Sequence, residues 1–186
     1  MKHNPIVPRE RILDTALRLF HEQGYNATGI NQIISEAGVA KASLYLHFKS
    51  KEELGAEYLN ARHHYWFTQL KLYIYAEKKA RKKVLAAFDF LIQINKNENF
   101  RGCSFINMLS EIQPDNVVLL TSIQNHKQEL RQLFADILKE QKSDAADIVY
   151  LIFESAITES QIFKNQWPVE KGKQAISDLY KLKYIK

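Results

Sequence analysis

Residues 37–54 read "AGVAKASLYLHFKSKEEL", Ala37 to Leu54, and this stretch decides the fold. Leu44 and Phe48 stand four apart and share one face of a helix of about two turns, Lys41 to Phe48. A helix that short does not hold itself together in water, so this face must be pressed into a core supplied by its neighbours. Lys41, Ser43, Tyr45 and His47 then project toward the other side and the ends. Ser50 followed by Glu53 has the spacing of a capping box and opens a further helix.

The upstream sequence supplies the neighbours. Ile12, Leu13, Ala16, Leu17 and Phe20 make an apolar stripe along residues 9–23, with Pro8 suited to a first helical turn and Gly24 to a stop. Thr28 is placed to cap a second helix, in which Ile30, Ile33, Ile34 and Ala37 repeat the same pattern. Gly38 ends it. Three short helices therefore share a small core, the second and third joined by a tight glycine-containing turn. That is the helix-turn-helix pattern.

Hydroxyl, imidazole and ammonium groups are what a helix needs to bond phosphates and base edges in a major groove. Lys51 lies in the first turn of the following helix, where backbone N–H groups and the helix dipole favour an anion. Thr28 can serve in the same way at the start of the second helix. The competing reading is that Tyr45 merely covers the three-helix core.

Residues 9–58 resemble the DNA-binding module of the TetR/AcrR family of bacterial transcriptional regulators, most specifically over "AGVAKASLYLHFKSKEEL". The resemblance implies an all-α chain: an N-terminal three-helix helix-turn-helix domain, then a helical bundle for ligand binding and dimerisation. It implies a homodimer on double-stranded DNA with a palindromic operator, repressing until a small-molecule effector releases it. Tyr45, His47, Lys51 and Thr28 fall at its phosphate-contacting positions; Lys41 and Ser43 fall where it reads bases. One departure stands out. Ala40 replaces the usual Ser or Thr before the lysine, a lost cap worth roughly 0.5–2 kcal/mol of local stability.

From Ser50 the chain changes character. Residues 51–76, 80–95, 102–112, 115–141, 144–165 and 168–183 read as helices, which sets the domains at 1–50 and 51–186. Trp66, Phe67, Phe88, Phe105 and Met108 crowd the middle helices. Such a bundle can line an apolar pocket with a few polar groups, or be solid core. The expected pocket wall is residues 100–111, where Gly102 permits close approach and Ser104 and Asn107 add polar handles. Cys103 is either a redox or electrophile sensor or an inert core residue. Ile148, Ile152, Ala156, Ile176 and Leu179 lie on two amphipathic helices that suit a four-helix contact with a second copy, or an internal core.

The totals agree with these expectations. With 186 residues, 46% apolar and 25% charged, the chain has material for a real core. Only 6 Gly and 4 Pro favour helices over a many-stranded fold. The net charge of +5 does not itself argue for nucleic acid, because residues 1–60 hold 7 basic and 7 acidic side chains. A single cysteine excludes an internal disulfide framework and fits a reducing cytoplasm. No apolar run approaches the roughly 18 residues a bilayer requires, so no membrane partner is expected.

Enzyme classes find no support. There is no E-x-x-H, no histidine pair at i, i+4, no glycine-rich phosphate loop and no G-x-S-x-G. Neither a catalytic residue, a metal nor a cofactor is expected. A helical adaptor for a protein partner is the remaining alternative, and salt-sensitive DNA binding separates it from a regulator.

Overall fold

The computed structural model describes residues 7–141, 144–182 and 184. Among them there is no strand, which bears out the all-α expectation. The helices are α1 Pro8–Gln23, α2 Ile30–Ala37, α3 Lys41–His47, α4 Lys51–Tyr75, α5 Ala80–Asn97, α6 Ser104–Leu109, α7 Val117–Ile137, α8 Ala145–Phe163 and α9 Trp167–Lys181. No described helix is long and apolar enough to cross a membrane.

Contacts divide the chain into two units. The first is the described part of Met1–His64 with Ser104–Gln124; the second is the described part of Tyr65–Cys103 with Asn125–Lys186. The cut expected at residue 50 does not describe this division. Tyr58 of α4 is 3% exposed and meets the Phe20 ring edge-on at 5.8 Å, so the start of α4 completes the N-terminal core.

In the first unit, Ile12, Ala16 and Phe20 are buried as expected; Leu19 joins them while Leu13 and Leu17 are half-covered. Gly24 takes φ 98°, a conformation open to glycine, and its N–H donates to the Phe20 carbonyl at 3.2 Å. Gly38 is left-handed at φ 61°, ψ 44°. The following N–H, on Val39, donates to the Ile34 carbonyl at 3.2 Å, which closes α2 in a Schellman-type stop. Arg18 binds Glu22 one turn further along α1 at 3.1 Å and ties α1 to α2 through Glu36.

The cap at Ser50 forms, with one variation. Ser50 Oγ accepts the Glu53 N–H at 3.1 Å, but the Glu53 carboxylate accepts the Lys49 N–H at 2.6 Å rather than that of Ser50. Helix α6 is shorter than residues 102–112. Asn99, Phe100 and Gly102 all have positive φ, so the chain cannot turn helical before Ser104. A Cβ on Gly102 would collide with the Gln161 side chain, the close approach that its glycine permits.

The second unit has its own core. Phe153 of α8 is fully buried among Phe88 at 5.4 Å, Phe134 at 5.2 Å and Trp66 at 6.2 Å, ring centre to ring centre. Gly172 lets α9 close on this core, since a Cβ there would lie 2.9 Å from Phe88. Buried Asn95 donates to Ser160 Oγ at 3.0 Å, so the polar pair inside is bonded.

Candidate nucleic-acid interface

Helix α3 turns one face inward and leaves the rest open. Leu44 is 0% and Phe48 1% exposed, whereas Tyr45 is 47% and Leu46 80% exposed. At about 100° per residue, Ala42 and Leu46 form the ridge opposite the buried pair. Lys41 and Tyr45 lie on one flank, Ser43 and His47 on the other. Lys41 and Ala42 are exposed, Ser43 and His47 half-buried.

The flanking residues hold this helix in place. Gly38 makes the turn, and Ala40 caps α3 with no side-chain hydrogen bond, as its methyl group requires. Phe48, just past the C-terminus, lies under the Arg9 guanidinium at 5.2 Å, and Arg9 also reaches Glu57 at 3.3 Å. Lys49 is exposed beside it. Lys51 Nζ lies 4.3 Å from the centre of the Tyr25 ring. Partial burial lowers its pKa from the usual lysine range, against an opposing pull from Glu111. A phosphate at this ammonium would favour the charged form.

Thr28 does not cap α2. Gly29 is the N-cap, and it makes no side-chain cap bond. Thr28 is fully buried, and its hydroxyl donates to the Gly24 carbonyl at 2.7 Å. Its side chain holds the α1–α2 turn from inside and is closed to a phosphate.

The expected ligand residues fall in both units. Trp66, Phe67, Phe88, Gly102 and Cys103 belong to the second; Phe105, Asn107 and Met108 belong to the first. Phe67 and Phe88 are core, at 3% and 0% exposure. Trp66 is half-covered and meets Phe90 and His126 edge-on. Next in sequence to His126, Lys127 pairs with Glu154 and donates to Cys103 Sγ at 3.3 Å. The second Glu154 oxygen is buried without a hydrogen-bond partner. Burial works against the Lys127 ammonium, but Cys103 and Glu154 together outweigh it and raise its pKa.

The expected dimer residues also separate. Ile152 and Ala156 line a groove of about 480 Å³ between α8 and α9, together with Leu151, Trp167 and Gly172. Ile148 and Leu179 are half-buried. Ile176 is fully buried within its own unit, because the α9 stripe Val169, Gly172, Ile176 and Tyr180 faces inward. It is closed to a second chain. Among the described residues of α8 and α9, the large apolar side chains that reach solvent are Leu151 at 62%, Ile162 at 63%, Phe163 at 54% and Trp167 at 45%.

Two features escaped the sequence reading. The Ala42–Leu46 ridge was legible in principle, since both residues lie off the Leu44–Phe48 stripe. The bonds from Asn26 to Glu111, 85 positions apart, had no local signal.

Residues 12–58 match the family described as "Bacterial regulatory proteins, tetR family". The chain is 29% identical over 181 residues to the HTH-type transcriptional regulator LmrA of Bacillus subtilis (strain 168), covering 93% of this chain and 96% of that one. It is 24% identical to IcaR of Staphylococcus aureus (strain Newman), named as a negative transcriptional regulator of a biofilm operon, over 91% of this chain and 93% of that protein. Among solved structures, the regulator SCO4454 of Streptomyces coelicolor superposes with a TM-score of 0.85 at 25% identity, over 95% of this chain and 89% of that one.

Proposed function

The chain belongs to the TetR family of bacterial regulatory proteins, and from that premise we propose that it is a homodimeric repressor released from a palindromic operator by a small-molecule effector. It is a DNA-binding transcriptional regulator and not an enzyme. The observation that carries the reading is the division of α3. Leu44 and Phe48 anchor the helix, while Lys41 and Tyr45 stand exposed on one flank and Ser43 and His47 half-exposed on the other.

In this reading α3 enters the major groove. Lys41 and Ser43 meet base edges; Tyr45, His47 and Lys51 hold phosphates on either side. Thr28 has no part in it. Repression is supported by the name of IcaR, a negative regulator. The open α8–α9 groove and the exposed Leu151, Ile162 and Phe163 support a homodimer through that face. For the effector, Trp66 and Cys103 beside the Lys127–Glu154 pair offer an apolar wall with convergent polar groups. A cytoplasmic location follows from a chromosomal DNA target and is consistent with one unpaired cysteine.

Duplex selection from a random pool, followed by binding titrations at several salt concentrations, tests the reading. An enriched twofold-symmetric sequence with affinity falling steeply as salt rises is the expected result. A protein partner in place of DNA would leave the pool unenriched.

A further inference from the structure

We propose that the Ala42–Leu46 ridge of α3 reads thymine, with the Leu46 side chain packing on the 5-methyl group of a thymine in the major groove. The inference rests on the DNA-binding reading and adds a specificity residue to it. Leu46 is 80% exposed, the most exposed large apolar side chain described. It lies on the line of α3 directly opposite Leu44 and Phe48, so it occupies the part of the helix that reaches furthest from the domain. Tyr45 on one flank and His47 on the other point toward the groove walls, where phosphates run, while Lys41 and Ser43 reach base edges nearer the N-terminal end of the helix. The ridge between them points to the floor. Ala42, one turn earlier, is small enough to let the helix approach the bases closely.

A leucine has neither donor nor acceptor, so it reads no hydrogen-bonding edge. The apolar feature on the floor of the major groove is the thymine C5-methyl, which cytosine, adenine and guanine lack. Lys41, Lys49 and Lys51 lie within the same eleven residues, and a cationic surround favours duplex DNA over an apolar protein partner. Discrimination then comes from burying one methyl group.

The test uses the full chain and the duplex that it selects from a random pool. Each deoxythymidine is replaced in turn by deoxyuridine, which removes the methyl group and keeps every hydrogen bond. For the wild type, at least one replacement should weaken binding about fourfold, the value of one buried methyl group. For Leu46→Ala the same replacement should have no effect. Leu46 is exposed, so the variant should keep its helical circular dichroism and unfolding midpoint. A flat deoxyuridine scan, or methyl penalties unchanged in Leu46→Ala, overturns the inference while leaving DNA binding intact. Failure of the wild type to enrich any duplex overturns the DNA-binding reading and the inference together.

Discussion

The Asn26 backbone N–H, in the turn between α1 and α2, donates to the Glu111 carboxylate at 2.6 Å, and the Asn26 side-chain amide donates to the Glu111 carbonyl at 2.7 Å. Both contacts lie inside one unit, and both depend on the chain leaving α6 after Leu109. The turn they hold also carries Gly24, where a Cβ would sit 2.8 Å from a Glu111 oxygen. Gly24→Ala should therefore destabilise by about 1–3 kcal/mol through its glycine-only backbone conformation alone. Glu111→Ala should cost less, on the order of 1 kcal/mol, because the bonds are exposed to water. Urea unfolding measures both; a Gly24→Ala variant as stable as wild type contradicts the account of this turn.

Phosphate contacts are separable from base contacts. Lys51→Ala should weaken binding to every duplex alike and reduce the salt dependence by about one unit of log K per log salt. Tyr45→Phe should lower affinity uniformly and leave that slope alone, because no charge is removed. Titrations at four salt concentrations decide. An unchanged slope in Lys51→Ala would mean that its ammonium serves only the Tyr25 ring.

The Lys127–Glu154 pair is 15% and 18% exposed, so each charge relies on the other. Lys127→Met should destabilise by about 3–5 kcal/mol, since it strands a buried carboxylate. The double variant Lys127→Met with Glu154→Leu should recover most of the loss. Chemical denaturation of the two variants checks this, and a double variant no better than the single one would show that packing, not charge, dominates.

Dimer formation is best probed at side chains that face outward. Ala156 is 3% exposed, so a charge there would damage the subunit itself. Leu151→Glu combined with Ile162→Glu should keep the helical fold, yield monomers in sedimentation and weaken operator binding by about 10²–10⁴-fold through loss of the second reading head. A variant that stays dimeric would move the interface away from this face.

Local chemistry made most of residues 8–58 readable. Gly24, Gly38 and the Ser50–Glu53 pair are punctuation whose geometry is set within a few positions, and the stops and cap form there. Thr28 misled because a threonine beside a helix start looks like a cap; its hydroxyl instead bonds backward to Gly24. Ile176 misled for a different reason. An amphipathic helix declares which face is apolar but not whether its own chain or another covers it. The Asn26–Glu111 bonds were invisible because neither residue carries a periodic signal, and only the tertiary fold brings position 111 back to position 26.

The central claim is that α3 reads DNA sequence, and Lys41 tests it most directly. It is exposed at the N-terminal end of the helix, where side chains reach base edges. Binding-site selection from random duplexes, run in parallel on wild type and Lys41→Ala, should give a twofold-symmetric preference for the wild type. The variant should have that preference relaxed at one position per half-site, equivalent to about 1–3 kcal/mol of lost discrimination. Identical preferences with uniformly lower affinity would deny Lys41 a base-reading role, and no enrichment by the wild type would contradict the account as a whole.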